Sequence, residues 1–111
     1  MDTQKTGYIK GNGNIYQDLG FSDAEERLAK ARLAMRIEEI IENRRLKQTQ
    51  AAEILRINQP KVSALMHGQL SGFSMEKLIH FLNLLNQDVE IIVKNKLRRK
   101  SDYGRLKVAF G

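Results

Sequence analysis

Between Asn58 and Gly68 the sequence places hydrogen-bonding side chains along one side of a short amphipathic stretch. Val62 and Leu65 lie three residues apart, as apolar residues on the buried side of a helix do. The groups that then face outward are amide, cationic, hydroxyl, methyl and imidazole: Gln59, Lys61, Ser63, Ala64 and His67. Such groups suit base edges in a major groove or backbone phosphates. The stretch therefore predicts a contact with nucleic acid.

A second short helix precedes this stretch and is expected to support it. Thr49 is the expected N-cap of a two-turn helix over 50–56, in which Ala51 and Ala52 allow a close approach. Two short helices joined by a three- or four-residue turn are typical of a helix-turn-helix, and Ile57 supplies the apolar residue of the turn. The alternative is a helical hairpin with a merely polar surface.

The flanking elements carry their own start and stop signals. Asn58 is the expected N-cap of the helix that carries the outward groups, Pro60 falls in its first turn, and Gly68 stops it. After a connector, Ser74 is expected to cap another helix. The inward positions of that helix are Met75, Leu78, Leu82 and Leu85.

A longer helix is predicted ahead of the pair. Ser22 and Glu25 form a Ser-x-x-Glu capping box at its start, and it is expected to end near Asn43. Its inward stripe is Leu33, Ile37, Ile40 and Ile41, with Leu28, Ala31 and Met35 extending the same face toward the N-terminus.

The period changes after this helical region. Residues 89–95 are rich in β-branched side chains, with Val89, Ile91 and Val93 on one face, and are predicted to form the one strand. A lone strand must pair, because its backbone groups and apolar face would otherwise be exposed.

The net charge of +6 and a pI near 9.8 favour an anionic partner. The excess lies in two blocks, with +4 in 44–70 and +5 in 96–111. A membrane surface is the rival partner, but neither block lies on a helix with a large bare apolar face. No apolar run approaches the ~20 residues that span a bilayer and no secretory signal opens the chain, so a cytoplasmic protein is expected.

The sequence also argues against an enzyme, a metal site and a bound cofactor. The chain has no cysteine, which excludes a thiol nucleophile and a cysteine zinc site. His67 and His80 show no metal-ligand spacing and no Ser/His/Asp arrangement. Glu38, Glu39 and Glu42 are interpreted as a solvated helix face.

The length of 111 residues allows one small domain with tails. The Gly- and Asn-rich residues 1–20 are predicted to be a flexible arm, and 21–88 a helix-turn-helix DNA-binding domain. Residues 89–95 are then the dimerisation strand and 96–111 a basic tail whose role the sequence leaves open.

Two sets of motifs resemble known families. Thr49-Gln50, Ala52-Glu53, Gln59-Pro60-Lys61-Val62-Ser63 and Gly68 resemble the Cro/CI or Xre-type helix-turn-helix regulators. Gly13-Asn14-Ile15-Tyr16-x-Asp18-Leu19-Gly20-Phe21, Ala29-Lys30-Ala31, Leu70-Ser71-Gly72-Phe73-Ser74 and Asp88-Val89-Glu90-Ile91 resemble the compact HigA-type antitoxin branch. The resemblance covers roughly 12–94. It implies an all-α, five-helix, lambda-repressor-like domain with one C-terminal β-strand.

The resemblance also implies DNA roles for individual residues. The base-contacting positions are Gln59, Lys61, Ser63 and Ala64. The phosphate-contacting positions are Lys47, Thr49, Gln50, Arg56 and His67. Gln50 is also implied to buttress the recognition helix. Arg56 stands where many relatives have Gly, so a left-handed backbone with mild strain is expected there.

The function implied is that of a sequence-specific repressor that binds a palindromic operator as a homodimer. The predicted strand has three candidate partners: residues 106–110, the region 8–16 and the same strand of a second copy. The second copy is preferred because a palindrome needs two recognition helices ~34 Å apart. The antitoxin branch adds a ribonuclease-type toxin, with the arm 1–20 as its contact. The alternatives are a stand-alone Xre-type repressor and an interaction module that has lost DNA binding.

Overall fold

A computed structural model describes residues 23–95 and 104–111. The described residues contain four helices: α1 (Asp23–Asn43), α2 (Gln48–Leu55), α3 (Gln59–Met66) and α4 (Met75–Leu84). The predicted fifth helix and the predicted strand do not appear among them. The Ser22 cap and the arm 1–20 lie outside the described residues. None of the four helices is long and apolar enough to cross a membrane.

The four helices pack around one apolar core, so the predicted all-α architecture is confirmed. α1 packs on α4 and α2 on α3, while α3 also contacts α1 and α2 contacts α4. The buried core residues are Leu33, Ala34, Ile37, Ile41, Ala51, Leu55, Val62, Leu65, Phe73, Leu78, Phe81, Leu82 and Leu85. The Phe73 and Phe81 rings meet edge to face with their centroids 5.9 Å apart, a favoured aromatic geometry. The pair α2–α3 therefore rests on a base formed by α1 and α4.

The N-terminal half of α1 buries a different face from the one predicted. Leu28 and Met35 are 58% and 60% exposed, whereas Ala29 and Ala34 are buried. At about 100° per residue, positions 28 and 35 project from the side of the helix opposite Ile37, which is fully buried. The prediction was wrong because positions 28 and 35 follow helical spacing between themselves but lie on the side of α1 opposite the buried stripe that contains Ile37.

The predicted start and stop signals of α3 and α4 are confirmed. The Asn58 side chain accepts a hydrogen bond from the Lys61 amide at 2.9 Å. The Ser74 hydroxyl accepts one from the Lys77 amide at 3.0 Å. Gly68 follows α3 with φ +73°, a left-handed conformation that glycine adopts without a steric penalty. These local contacts fix both ends of the helix that carries the outward groups.

The start of α2 differs from the prediction that Thr49 caps it. Lys47 holds the N-cap position with an extended backbone (φ −75°, ψ 161°), and Gln48 is already helical. The Lys47 amide donates to the Gln50 side-chain oxygen at 2.8 Å. This is the backward half of a capping box, in which a glutamine at the third helical position satisfies the N-cap amide. A hydroxyl cap at Thr49 is therefore not needed.

Residues 89–95 form no strand within the described part of the chain. Ile91, Ile92 and Val93 are 80%, 69% and 91% exposed. None of the backbone hydrogen bonds between described residues involves this segment, and residues 106–110 do not pair with it. A strand exists through ladder hydrogen bonds to a neighbour, and the described single chain supplies no neighbour. The extended character that the sequence predicts thus lacks the pairing that would make it a strand.

Residues 104–111, called the strap below, return to α1. Val108 is half-buried and packs against the core. The Arg32 guanidinium donates to the Val108 carbonyl at 3.3 Å. The Arg36 guanidinium lies 4.5 Å from the centre of the Phe110 ring, within the range of a cation–π contact. The end of the predicted basic tail is therefore docked on the domain.

One arginine of the first basic block joins two helix ends. The Arg44 guanidinium, just after α1, donates to the Leu85 carbonyl, just after α4, at 2.6 Å. The last carbonyls of a helix have no partner within it, and a cation there also opposes the negative end of the helix dipole. Arg44 therefore serves the fold.

Candidate nucleic-acid interface

α3 is fixed to the core by one side and presents the other to solvent. Val62 and Leu65 are 0% and 2% exposed. Gln59, Lys61 and His67 are exposed, and Ser63 and Ala64 are half-buried. Residues 59, 63 and 67 recur every four positions and so form one row along the helix. Residues 61 and 64 form a second row, and at about 100° per residue Lys61 lies about 160° around the axis from Gln59. The predicted base-contacting residues therefore lie in two rows on the solvent-facing side of α3, with Gln59 and Lys61 at its opposite edges.

The predicted phosphate-contacting residues lie at helix ends around this surface. Lys47, Thr49 and Gln50 are exposed at the start of α2, and Arg56 is exposed directly after its end. His67 follows the last helical residue of α3. The first turn of a helix also offers free backbone amides to phosphate oxygens, whereas Arg56 and His67, after helix C-termini, offer only their side chains. Their roles toward DNA remain predictions.

The hydrogen bond at the start of α2 fixes which atoms of Gln50 are free. Its side-chain oxygen accepts from the Lys47 amide, so the amide nitrogen points away with two hydrogens to donate. A contact with Gln59, which the buttressing role requires, is not among the hydrogen bonds of the described residues. Gln50 therefore offers donors to an anion outside the protein.

A hydrogen bond at the end of α3 selects the tautomer of His67. The ring nitrogen Nδ1 lies 2.7 Å from the Ser63 carbonyl oxygen, which can only accept, so Nδ1 carries a hydrogen. Nε2 is then the atom that is free for a ligand. In the neutral ring Nε2 accepts a hydrogen bond, and it donates to a phosphate only when the ring is protonated.

The backbone after α2 adopts the left-handed conformation that the sequence predicts. Arg56 has φ 62° and ψ 41°, and its amide donates to the Ala52 carbonyl. Arg45, in the turn between α1 and α2, has φ 56°. A left-handed backbone costs a non-glycine residue about 1 kcal/mol. In both turns the conformation projects a cationic side chain next to α2.

Among the described residues, the cations of this surface have no carboxylate partner. None of the ion pairs between described residues involves Lys47, Arg56 or Lys61. Glu53 is the one carboxylate between residues 44 and 70. The surface therefore has an uncompensated positive charge, as a phosphate-binding surface requires.

Two polar residues of the connector, absent from the sequence prediction, join the surface. A shallow depression of about 330 Å³ lies beside α3. Its lining consists of Asn58, Pro60, Lys61, Ala64, Gln69, Ser71, Gly72 and Phe73. Gln69 and Ser71 thus lie beside Lys61 and Ala64. The only sequence signal for them is their polarity directly after the helix stop at Gly68.

Comparisons with known proteins agree with this geometry. A family model described as a helix-turn-helix domain matches residues 15–94, a range that takes in all four helices and stops before the strap. A solved structure named as an XRE family transcriptional regulator is 48% identical, with a TM-score of 0.74. That match covers 81% of this chain and 100% of the other. No curated protein matches the chain.

Proposed function

We propose that this chain, which belongs to the XRE-type helix-turn-helix family, is a transcriptional repressor. In this proposal α3 enters the major groove of operator DNA. The observation that carries the proposal is the two-sided character of α3. Val62 and Leu65 are almost fully buried, which fixes the orientation of the helix, while Gln59 and Lys61 are exposed. A rigid helix with free amide and cationic groups at its N-terminal turn suits base recognition.

The side chains of α3 favour particular base edges. The Gln59 amide matches the donor and acceptor of adenine, and the Lys61 ammonium matches the two acceptors of guanine. Ser63 can contact either base, and the Ala64 methyl suits a thymine methyl group. Operator half-sites that combine adenine with guanine are therefore expected to bind best.

The phosphate contacts come from the ends of α2 and α3. Lys47, Thr49 and Gln50 are exposed at the start of α2, where the Gln50 amide nitrogen is free to donate, and Arg56 is exposed directly after the end of the helix. His67 joins them when its ring is protonated. Each phosphate neutralised releases counterions, so the logarithm of the binding constant falls with the logarithm of the salt concentration, by a slope of about 0.9 per contact.

The proposal is tested by selecting a preferred duplex from a random library and titrating it at several salt concentrations. We expect a steep salt dependence, and a loss of preference over unrelated duplex in the double variant Gln59→Ala, Lys61→Ala. Arg27→Ala is the control, because Arg27 is exposed on α1 and removes the same charge. Equal affinity of the double variant and the wild type would instead favour an interaction module without DNA binding.

The homodimer is proposed to form through residues 89–95 of two copies. Ile91, Ile92 and Val93 are exposed and their backbone groups have no partner among the described residues, so mutual pairing would satisfy both. Sedimentation should show that Ile91→Glu lowers the dimer fraction. Met35→Glu is the matched control, since Met35 is an exposed apolar residue on α1. Equal loss of dimer in both variants would contradict pairing through 89–95.

The antitoxin role is proposed from the motifs of residues 13–21 and 70–74, which resemble the HigA-type branch. The partner is then a ribonuclease-type toxin that the arm 1–20 contacts in the cytoplasm. Co-expression with a neighbouring toxin reading frame tests this, with capture expected for the full chain and reduced capture for a chain without residues 1–20. Absence of such a frame beside the gene would favour a stand-alone repressor.

A further inference from the structure

The strap and the middle of α1 bring together cations that lie far apart in the sequence. Leu106 and Val108 are half-buried, whereas Arg105 and Lys107 are exposed. The strap thus alternates as an extended segment does, with apolar side chains toward the domain and cations outward. Arg32, on α1, holds the strap by a hydrogen bond to its backbone.

The positive charge of this surface exceeds its negative charge. Arg32 donates to a carbonyl, which satisfies a donor but leaves the charge uncompensated. Arg36 has one carboxylate partner, Glu39, at 3.3 Å. None of the ion pairs between described residues involves Arg105 or Lys107. No side chain from 104 to 111 is acidic, so the side chains of the strap add only positive charge to α1.

We infer that this group, the strap surface of Arg32, Arg36, Arg105 and Lys107, is a second contact for the phosphate backbone of duplex DNA. The strap surface is separate from the α2–α3 surface. The inference rests on the proposed function, because that function identifies DNA as the polyanion. Arg32, Arg105 and Lys107 are exposed and have no carboxylate partner among the described residues, and such cations gain most from phosphates because counterions are released. Duplex continues on both sides of an operator, so phosphates are available to a second surface.

The strap surface includes residues beyond the part of the chain that matches the family model. The matched range ends at residue 94, and Arg105 and Lys107 lie beyond it. A helix-turn-helix domain that stopped at residue 94 would contain Arg32 and Arg36 but would lack Arg105 and Lys107. The contact would therefore increase general affinity for DNA without changing which bases α3 prefers.

The test is the double variant Arg105→Gln, Lys107→Gln, which keeps the half-buried side chains that dock the strap. On a duplex with long flanks we expect the salt slope to become shallower by about two units for each bound protomer, hence about four for a dimer, with the ranking of operator sequences unchanged. Arg27→Gln, Lys30→Gln is the control, because it removes two cations from α1 outside the strap surface. Equal melting temperatures of the variants would show that folding is preserved.

The same substitutions in the background of Gln59→Ala, Lys61→Ala separate this inference from the proposed function. Residual binding to unrelated duplex that falls further when the strap cations are removed supports the strap surface, even if operator preference was never present. A salt slope unchanged on every duplex overturns it. Retention on poly-glutamate that depends on Arg105 and Lys107, with an unchanged DNA slope, would overturn it in favour of an acidic protein partner.

Discussion

The pair α2–α3 and the strap position their cations by contacts of very different range. Gln50 and Asn58 fix the starts of the two helices through hydrogen bonds to residues three positions away. The strap is held by Arg32 across a separation of 76 residues. Contacts of short range are encoded by local spacing, whereas contacts of long range depend on the assembled core. The two helices of the first region could therefore be predicted, although the residue that caps α2 could not, and the docking of the strap could not be predicted at all.

The two regions also differ in how firmly they are attached. α2 and α3 are anchored by fully buried side chains such as Leu55, Val62 and Leu65. The strap has one backbone hydrogen bond at 3.3 Å, one cation–π contact and a half-buried Val108. Segments with few buried contacts open at a lower free energy than the core. The strap should therefore detach before the helix pair unfolds.

The largest effect is expected from Leu65→Ala. Leu65 is 2% exposed beneath the base-contacting surface, and truncating such a residue leaves a cavity that lowers the free energy of unfolding by about 3 kcal/mol. Chemical denaturation measures this. Leu28→Ala, at a 58% exposed position of α1, should change the free energy by less than about 0.5 kcal/mol. Similar losses in both variants would contradict the packing of α3.

A smaller loss is expected from Asn58→Ala. The variant removes the acceptor of the Lys61 amide and should cost about 1 kcal/mol of stability. Because fraying starts at the turn that carries Gln59 and Lys61, operator affinity should fall as well. Ser74→Ala removes the equivalent cap of α4 and should lower stability alone. Equal losses of DNA affinity in the two variants would break the link between the cap and recognition.

Val108→Ala should cost less, below about 1 kcal/mol, because the side chain is half-buried and loses about two methylene equivalents. Hydrogen exchange should nevertheless show faster opening of residues 104–111, with the amides of α3 unchanged. If α3 lost protection to the same extent, the strap would be part of the cooperative core and would not detach before the helix pair unfolds.

The smallest effect is expected from His67→Ala. The variant removes the ring, its free Nε2 and the hydrogen bond from Nδ1 to the Ser63 carbonyl. Titration of the operator at one fixed pH should show a loss of roughly 0.5 kcal/mol of binding free energy. His80→Ala is the control, since His80 is exposed on α4. Equal losses in both variants would contradict a contact between His67 and DNA.

The parts of the fold that the sequence predicts are those with local causes. The caps Asn58 and Ser74 and the stop at Gly68 follow from side-chain chemistry within four residues. The prediction failed at Leu28, because its spacing to Ala31 and Met35 is helical but places it opposite the buried Ile37. It failed at Thr49, because Gln50 reaches back to satisfy the N-cap amide instead.

The candidate surface follows the same rule. The outward residues of α3 could be deduced once Val62 and Leu65 were placed inward. Gln69 and Ser71 could not, because their place beside Lys61 depends on how the connector folds back. The composition of residues 89–95 predicted a strand that the described chain does not form, because a strand requires a pairing partner that composition cannot supply.

The hydrogen bond from Arg44 to the Leu85 carbonyl has a geometric consequence for a dimer built on residues 89–95. It ties the junction that leads into α2 to the junction that leads into the pairing segment. A small rotation at these junctions would produce a larger displacement of α3. Two recognition helices must lie about 34 Å apart to occupy successive major grooves. Arg44 would thus govern how much variation in half-site spacing the protein tolerates, independently of the bases that α3 contacts.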